Sequence, residues 1–186
     1  CLAGEEGMKH PRWMLLLLLL VAQTVFAGQI DILETRVWLQ DESYLLDADL
    51  GYEPDEKVME ALGNGIPVVF RISFVVEEQG LISRELASRE VDFTVRFRSL
   101  AAFYEVTNSA GARRTFVSRA ALFTYLGELR GIPLLSTTEL EPGKNYRYLV
   151  KAELDIDSLP LPMRPMAWFS PVWKLSSGWK EWPLNP

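Results

Sequence analysis

From residue 28 onward the sequence has no cysteine and no histidine, because Cys1 and His10 are the only ones in the chain. Without thiols this part cannot form a disulfide, so its fold must depend on its hydrophobic core. The absence also excludes Cys–His and Ser–His catalysis, imidazole acid–base catalysis and zinc sites built on these ligands. Any catalytic or binding site in this part of the chain would have to use carboxylates, lysine, tyrosine or serine.

The chain also lacks an excess of positive charge. It has 19 Lys and Arg against 25 Asp and Glu, for a formal net charge of -6. Nucleic-acid binding requires a concentrated basic surface, and the one basic cluster, Arg113, Arg114 and Arg119, is small. We therefore expect no nucleic-acid partner.

Residues 8–27 have the features of a secretory signal peptide. Lys9 and Arg12 precede an apolar run at residues 13–22, and the small residues Val25 and Ala27 stand before Gly28. A membrane anchor is the alternative, but the run is only about half of the roughly 20 residues that a spanning helix needs. We therefore expect cleavage after Ala27 and a periplasmic protein.

This interpretation divides the chain into three parts. Residues 1–7 have no targeting feature and are interpreted as translated upstream sequence. Residues 28–186 form a single domain, since 48% hydrophobic and 24% charged residues are typical of globular proteins. Contact with a membrane is expected only through the N-terminal segment, if that segment is not cleaved.

Four stretches alternate apolar and polar residues with a period of two: residues 44–50, 68–76, 91–97 and 146–156. This pattern is typical of strands that bury one face in an antiparallel sheet. A hairpin with its turn at residues 108–112 is also predicted. Residues 159–165, "LPLPMRP", read as an extended proline-rich connection.

Two helices are predicted between the strands. The first begins after Pro54 and ends at Gly63 or Gly65. The second is capped by Ser118 and ends at Gly131 and Pro133, with one apolar face. That face consists of Leu122, Tyr125, Leu126 and Leu129. The fold class is thus mainly β: an antiparallel β-sandwich of about seven strands, immunoglobulin-like, with two short α-helices.

Four of the six tryptophans lie near the end of the sequence, namely Trp168, Trp173, Trp179 and Trp182. Trp173 and Leu175 share a face if this segment is a terminal strand, so Trp173 is predicted to close the core. Trp179 and Trp182 stand among Lys180, Glu181 and Pro183 and are the candidate exposed pair, since exposed aromatic groups mark interaction sites.

Arg113 and Arg114, beside the predicted hairpin turn, are the other candidates for an interaction surface. They could contact an acidic partner or lipid headgroups, although a solvated turn is the favoured interpretation. Adjacent strand residues point to opposite faces. The two arginines are therefore not expected to act together.

Candidate catalytic and metal sites are weak. Glu153, Asp155 and Asp157 would share a strand face and could hold calcium, but the glycine-bearing loop of such sites is missing. Ser177 and Lys180 have Ser-x-x-Lys spacing without its companion motifs, and Gly178 and Pro183 oppose a helix. No catalytic residue, metal or cofactor is predicted.

The chain resembles the exported bacterial family known as domain of unknown function 4390. The resemblance is carried by four segments: "ALGNGIPVVF" (61–70), "FYEVTNSAGARRTFVSRAALFTYLGEL" (103–129), "LEPGKNYRYLVKAELDIDSLPLPMRP" (140–165) and "VWKLSSGWKEWPL" (172–184). It implies no catalytic residue. It does imply a context, because members are often encoded beside a membrane sensor histidine kinase.

The leading hypothesis is an exported, non-enzymatic binding or accessory protein of the bacterial envelope, partnering a membrane sensor kinase or another envelope protein. The alternative is a carbohydrate or cell-wall binding module that uses the C-terminal tryptophans. A carboxylate-based glycosidase ranks third, because neighbouring carboxylates on one strand do not face each other across a cleft.

Overall fold

The structure is a computed structural model and describes residues 28–185. The predicted upstream residues 1–7 and signal peptide 8–27 lie outside the described residues. The strands are β1 (Gln29–Gln40), β2 (Ser43–Glu53), β3 (Val68–Gln79), β4 (Arg84–Arg98), β5 (Phe103–Asn108), β6 (Arg113–Phe116), β7 (Glu128–Ser136), β8 (Asn145–Leu154) and β9 (Lys180–Leu184). The α-helices are α1 (Glu56–Gly63), α2 (Arg119–Gly127) and α3 (Arg164–Phe169).

All strand pairs are antiparallel and form two sheets. The smaller sheet has the order β1-β2-β7, and the larger has the order β6-β5-β4-β3-β8-β9. A variable-type immunoglobulin sandwich has the order A-B-E-D in one sheet and C″-C′-C-F-G in the other, and every strand here except β6 follows this order. One departure is β6, which extends the larger sheet. The predicted mainly-β sandwich is confirmed.

The core lies between the sheets and is built by the alternating residues that the sequence pattern predicts. In β3 the inward side chains Phe70, Ile72 and Phe74 are buried, and β2 and β8 alternate in the same way. Contacts between aromatic rings join the two sheets, as Tyr52 of β2 meets Phe70 edge to face at 5.4 Å. Within residues 28–185 the buried hydrophobic residues extend from Ile30 to Leu184 and form one cluster.

One end of the sandwich carries all three α-helices of the described chain. At this end β1 begins beside the end of β2, and β3 begins beside the end of β8. Helix α1 follows β2, α2 leads into β7, and α3 follows β8 through a 3-10 turn at Ile156–Ser158. We call this end the helical end. The β3–β4 hairpin tip lies at the opposite end.

The first predicted helix is confirmed: α1 is capped by Asp55, whose side chain accepts a hydrogen bond from the Lys57 N–H. The second begins as predicted at Ser118 but ends at Gly127, so its predicted extent to residues 131–133 is wrong. From Glu128 the chain pairs with β2 as β7. At Gly127 a Cβ would clash with the Leu50 carbonyl oxygen, and this close approach marks the end of the helix.

Two predictions for the C-terminal third also need correction. Residues 159–165 are not simply extended, because they form a turn and then begin α3, with Pro165 in its first turn. The predicted terminal strand is interrupted: Trp173 lies in a 3-10 turn, Pro171–Trp173, and only Lys180–Leu184 forms a strand. Trp173 is nevertheless buried in the core, as predicted.

Candidate binding surface on the six-stranded sheet

The solvent side of the six-stranded sheet, which we call the outer face, is formed by the residues that alternate with the core residues. Its centre is built by β3, β4 and β8, whose register places their outward residues side by side. These central residues are Arg71, Ser73, Val75 and Glu77 of β3, Ser88, Glu90 and Asp92 of β4, and Arg147, Leu149, Lys151 and Glu153 of β8. The surface is thus predominantly charged and polar.

Arg71 organises one end of the outer face. Its guanidinium donates to both carboxylate oxygens of Asp92, from Nε at 2.8 Å and from Nη2 at 2.9 Å. It also lies 3.2 Å from Asp155 and 3.5 Å from Glu90. The hydrogen bond with Asp92 raises the pKa of Arg71 above its usual value. One cation therefore fixes three carboxylates from two neighbouring segments, β4 and the residues after β8, and a bidentate pair of this kind has a defined geometry.

A second group of ion pairs holds the other end of the outer face. Arg147 of β8 donates to Glu77 of β3 at 2.7 Å and to Glu181 of β9 at 2.8 Å. Between the two ends, Lys151 lies 2.8 Å from Glu153. Because the Arg147 pairs join β8 to β3 and to β9, these charges are ordered before any partner arrives, which lowers the entropy cost of binding.

Trp179 lies on the outer face, just before β9. Its ring packs against Lys151, whose Nζ is 5.6 Å from the ring centroid. About half of the Trp179 side chain, 49%, remains exposed. The ring borders a depression of about 410 Å³ that is lined by Ser73, Phe74, Val75, Ser88, Arg89 and Glu90. An exposed indole beside a depression with both polar and apolar lining residues is a suitable anchor for a bound group.

Trp182 lies on the inner side of the same sheet, so the structure separates the predicted tryptophan pair. Its ring stacks on Tyr148 at 5.5 Å with an interplanar angle of 15°, and it packs against the core. Residues 179 and 182 are an odd number apart, and positions so spaced point to opposite faces of a strand. Trp179 alone therefore contributes to the outer face.

The two arginines are divided in the same way. Arg113 is on the outer face, 3.7 Å from Glu105, whereas Arg114 is on the inner side with its guanidinium 5.7 Å from the Tyr125 ring centroid. Strand β6 is at one edge of the sheet and β9 at the other, about 24 Å apart at the usual spacing between strands. Arg113 and Trp179 thus share a face but not a local site.

The carboxylates predicted to share one strand face are divided among different partners. Glu153 pairs with Lys151, whereas Asp155 lies beyond the end of β8, pairs with Arg71 and accepts the Asp157 N–H. Within residues 28–185 no group of three or more potential ligands is arranged to hold a metal ion.

Ser177 has a structural role. Its hydroxyl oxygen accepts a hydrogen bond from the Ala152 N–H at 3.0 Å, and the hydroxyl donates to the Gly178 carbonyl at 2.8 Å. Lys180 lies in β9, and Gly178 between them has a φ of 65°, so the two residues are not one helical turn apart. The Ser-x-x-Lys spacing is therefore not placed on a helix.

Arg71 and Lys151 were missed as components of a binding surface by sequence reasoning. Both occupy outward positions in predicted strands. Their partners are Asp92 and Asp155 for Arg71 and Trp179 for Lys151. These partners come from other segments, and the strand order determines which segments are neighbours. The alternation assigns a residue to a face and carries no information about which strands are neighbours.

Residues 27–183 match the family model described as domain of unknown function DUF4390. No curated protein and no solved structure matches the chain. Within the described residues, none of the helices has the length and apolar character needed to cross a membrane.

Proposed function

The chain belongs to the DUF4390 family, and we propose that it is an exported, non-enzymatic binding protein of the bacterial envelope that recognises a partner protein through the outer face. The observation that carries this proposal is Trp179, half exposed over Lys151, which in turn forms an ion pair with Glu153. Exposed aromatic rings within ordered polar surroundings are common at the centre of protein interfaces.

The size of the outer face supports a protein partner. Six strands at about 4.8 Å spacing give a width of about 24 Å. Protein interfaces of standard size bury about 800 Å² on each partner, and a sheet of this width with strands of 10 to 15 residues, as in β3, β4 and β8, offers such an area. The partner we propose is the extracytoplasmic part of a membrane sensor kinase or another envelope protein.

A carbohydrate ligand is the second candidate. The depression beside Trp179 carries Ser73, Ser88 and Glu90, which can hydrogen-bond to sugar hydroxyls. However, only Trp179 of the predicted pair lies on this face, so two neighbouring rings are not available for stacking. This arrangement favours the protein partner.

The test is an affinity capture from detergent-solubilised envelope, with residues 28–186 as bait and mass spectrometry as readout. Trp179→Ala should lose the captured partner. Trp168→Ala is the matched control, because Trp168 is similarly exposed, at 54%, and lies at the helical end. If both variants retain the partner, or both lose it, the outer face around Trp179 is not the binding surface.

The carbohydrate candidate is tested separately by titrating peptidoglycan fragments while recording tryptophan fluorescence. Saturable quenching that disappears in Trp179→Ala would support a sugar site. A flat titration in the wild-type protein would exclude these fragments as ligands of this surface.

A further inference from the structure

Strand β4 is longer than its neighbour β5, so part of its edge has no partner strand. Strand β5 pairs with β4 only from Phe93 to Arg98, whereas β3 pairs with β4 along nearly its whole length. Residues 87–92 of β4 therefore have β3 on one side and no strand on the other. This stretch contains no proline, no glycine and no register shift, and residues 88–90 are exposed. We call residues 87–92 the free edge of β4.

The backbone groups of Ser88 and Glu90 point away from β3. In an antiparallel sheet the N–H and C=O of one residue point to the same side, and successive residues alternate between the two sides. The Asp92 N–H donates to the hydroxyl of Ser109 at 2.8 Å, on the side of β5, so Glu90 and Ser88 face that side as well. Both of their N–H groups and the Glu90 C=O have no hydrogen-bond partner within the described residues. The Ser88 C=O accepts a hydrogen bond from the exposed side chain of Arg89.

The free edge of β4 opens into the depression beside Trp179. The register of the sheet places Ser73 of β3 between Glu90 of β4 and Lys151 of β8, and Trp179 packs on Lys151. Strands β3 and β4 supply the other residues that line the depression. The depression therefore runs across the strands, from the free edge to the indole, over about two strand spacings or about 10 Å.

These features indicate an extended polypeptide segment as the occupant. A strand along the free edge supplies N–H and C=O groups at the same period of two, and its alternate side chains project onto the outer face. A second copy of this chain fits less well. The register that pairs Ser88 with the second copy's Glu90 places the two Arg89 side chains directly opposite each other, and like charges in that position are destabilising.

We propose that the partner protein binds by adding an extended strand to the free edge of β4. The strand exchanges hydrogen bonds with Ser88 and Glu90, continues the line of β5 beyond Ser109, and directs a side chain into the depression towards Trp179. The Arg89 side chain leaves the Ser88 C=O when the strand binds. This inference rests on the proposed function, because it specifies how the partner contacts the outer face.

The test is the same envelope capture with proline at the free edge. Ser88→Pro removes a free N–H, and the folded protein loses no hydrogen bond with it. We expect this variant to lower the amount of captured partner about ten-fold or more. Ser88→Ala keeps the N–H and should therefore retain more of the partner than Ser88→Pro.

The matched control is Leu39→Pro, at the exposed edge of β1 in the other sheet. Hydrogen bonding between Gln40 and Ser43 closes the two-residue turn after β1, so the Leu39 N–H points away from β2. This variant also loses a free N–H, and it should capture the partner as the wild type does.

Amide hydrogen exchange, followed by NMR, examines the free edge directly. In the isolated protein the Ser88 and Glu90 amides should exchange faster than the Arg89 amide, which faces β3. Both should slow when the purified partner is added. Slow exchange of Ser88 and Glu90 in the isolated protein would overturn the proposal, because the edge would already be paired.

The capture separates the failure of this inference from that of the proposed function. If Trp179→Ala loses the partner and Ser88→Pro retains it, or if Leu39→Pro loses it as well, strand addition at β4 is wrong and the outer face remains the binding surface. If Trp179→Ala retains the partner, both proposals fail. A dimer in light scattering that Ser88→Pro dissociates would assign the free edge to a second copy of this chain instead.

Discussion

The ammonium of Lys151 lies 5.6 Å from the ring centroid of Trp179, on the side of the six-stranded sheet that faces away from the core. This contact orients the indole while leaving half of it exposed. Three positions further on, Trp182 stacks on Tyr148 on the inner side. The two tryptophans therefore have different roles, one at the surface and one in the packing of β8 against β9.

The first prediction is that alanine variants of Trp182 and Trp179 lose different amounts of stability. Trp182→Ala removes a partly buried, stacked ring and should lower the free energy of unfolding by about 2 kcal/mol. Trp179→Ala should cost less than about 1 kcal/mol, because an exposed cation–π contact contributes little. Thermal unfolding of the two variants checks this, and a larger loss for Trp179→Ala would place that ring in the core.

The second prediction concerns Arg71, which holds three carboxylates. Arg71→Met should lower the free energy of unfolding by about 2 kcal/mol, because Asp92, Asp155 and Glu90 are then left close together without a cation. Arg71→Lys should restore only part of the loss, since an ammonium cannot donate two parallel hydrogen bonds to Asp92. Denaturant unfolding measures both, and a lysine variant as stable as the wild type would contradict the bidentate role.

The third prediction is a loss of stability in acid. Hydrogen bonds from Lys144 and Arg84 lower the pKa of Glu78, and the hydrogen bond from Arg98 lowers the pKa of Glu105. A carboxyl whose pKa is lower in the folded protein contributes its full stability above its unfolded pKa, about 4.3, and loses that contribution as the pH falls through the folded value.

The melting temperature should therefore fall as the pH decreases below about 4.3. The fall should be shallower in the variant Glu78→Gln with Glu105→Gln. Glu85→Gln, an exposed position of β4, is the control and should follow the wild-type curve. Parallel curves for all three proteins would show that these ion pairs do not contribute to the pH dependence.

The fourth prediction concerns Tyr52, whose hydroxyl is buried and has no hydrogen-bond partner within the described residues. Its ring packs against Phe70 and Phe123, and burial raises the pKa of the phenol. Because an unpaired buried hydroxyl costs free energy, Tyr52→Phe should leave stability unchanged or increase it by up to about 1 kcal/mol. A clear loss of stability on chemical denaturation would mean that the hydroxyl has a partner.

The sequence predicted the elements whose pattern is regular. In β2, β3 and β8 the period-two alternation identifies the buried residues correctly, from Tyr44 in β2 to Leu154 in β8. Helix α1 has a clear beginning at Asp55, and the turn at residues 108–112 is closed by the Asn108 side chain, which accepts the Ala112 N–H. Local signals are sufficient in these places because they agree with the tertiary structure.

Elements with an interrupted pattern were missed. The register of β1 shifts between Ile32 and Glu34, so Leu33 is an extra, exposed residue and the alternation breaks. Strand β7 contains Gly131 and Pro133, which read as the end of a helix, and its pairing with β2 has two further register shifts. Long-range pairing determines both strands, and it overrides the local preference.

The candidate surface was predictable only in part. Trp179 was identified, but its grouping with Trp182 assumed that neighbouring aromatic residues act together. The outer face requires the strand order β4-β3-β8-β9, which brings Asp92 to Arg71 and Trp179 to Lys151. Strand order depends on how the connections cross between the sheets, and a single sequence has no local signal for it.

The most direct test of the proposed function is site-specific photo-crosslinking in intact cells. A photoreactive residue at Ser88 of the outer face is compared with one at Arg36, an exposed position on the other sheet. We predict one discrete crosslinked envelope protein from Ser88, its loss when Trp179→Ala is added, and no such product from Arg36. Equal products from both positions, or a Ser88 product that persists in the Trp179→Ala background, would contradict the assignment of the outer face as the binding surface.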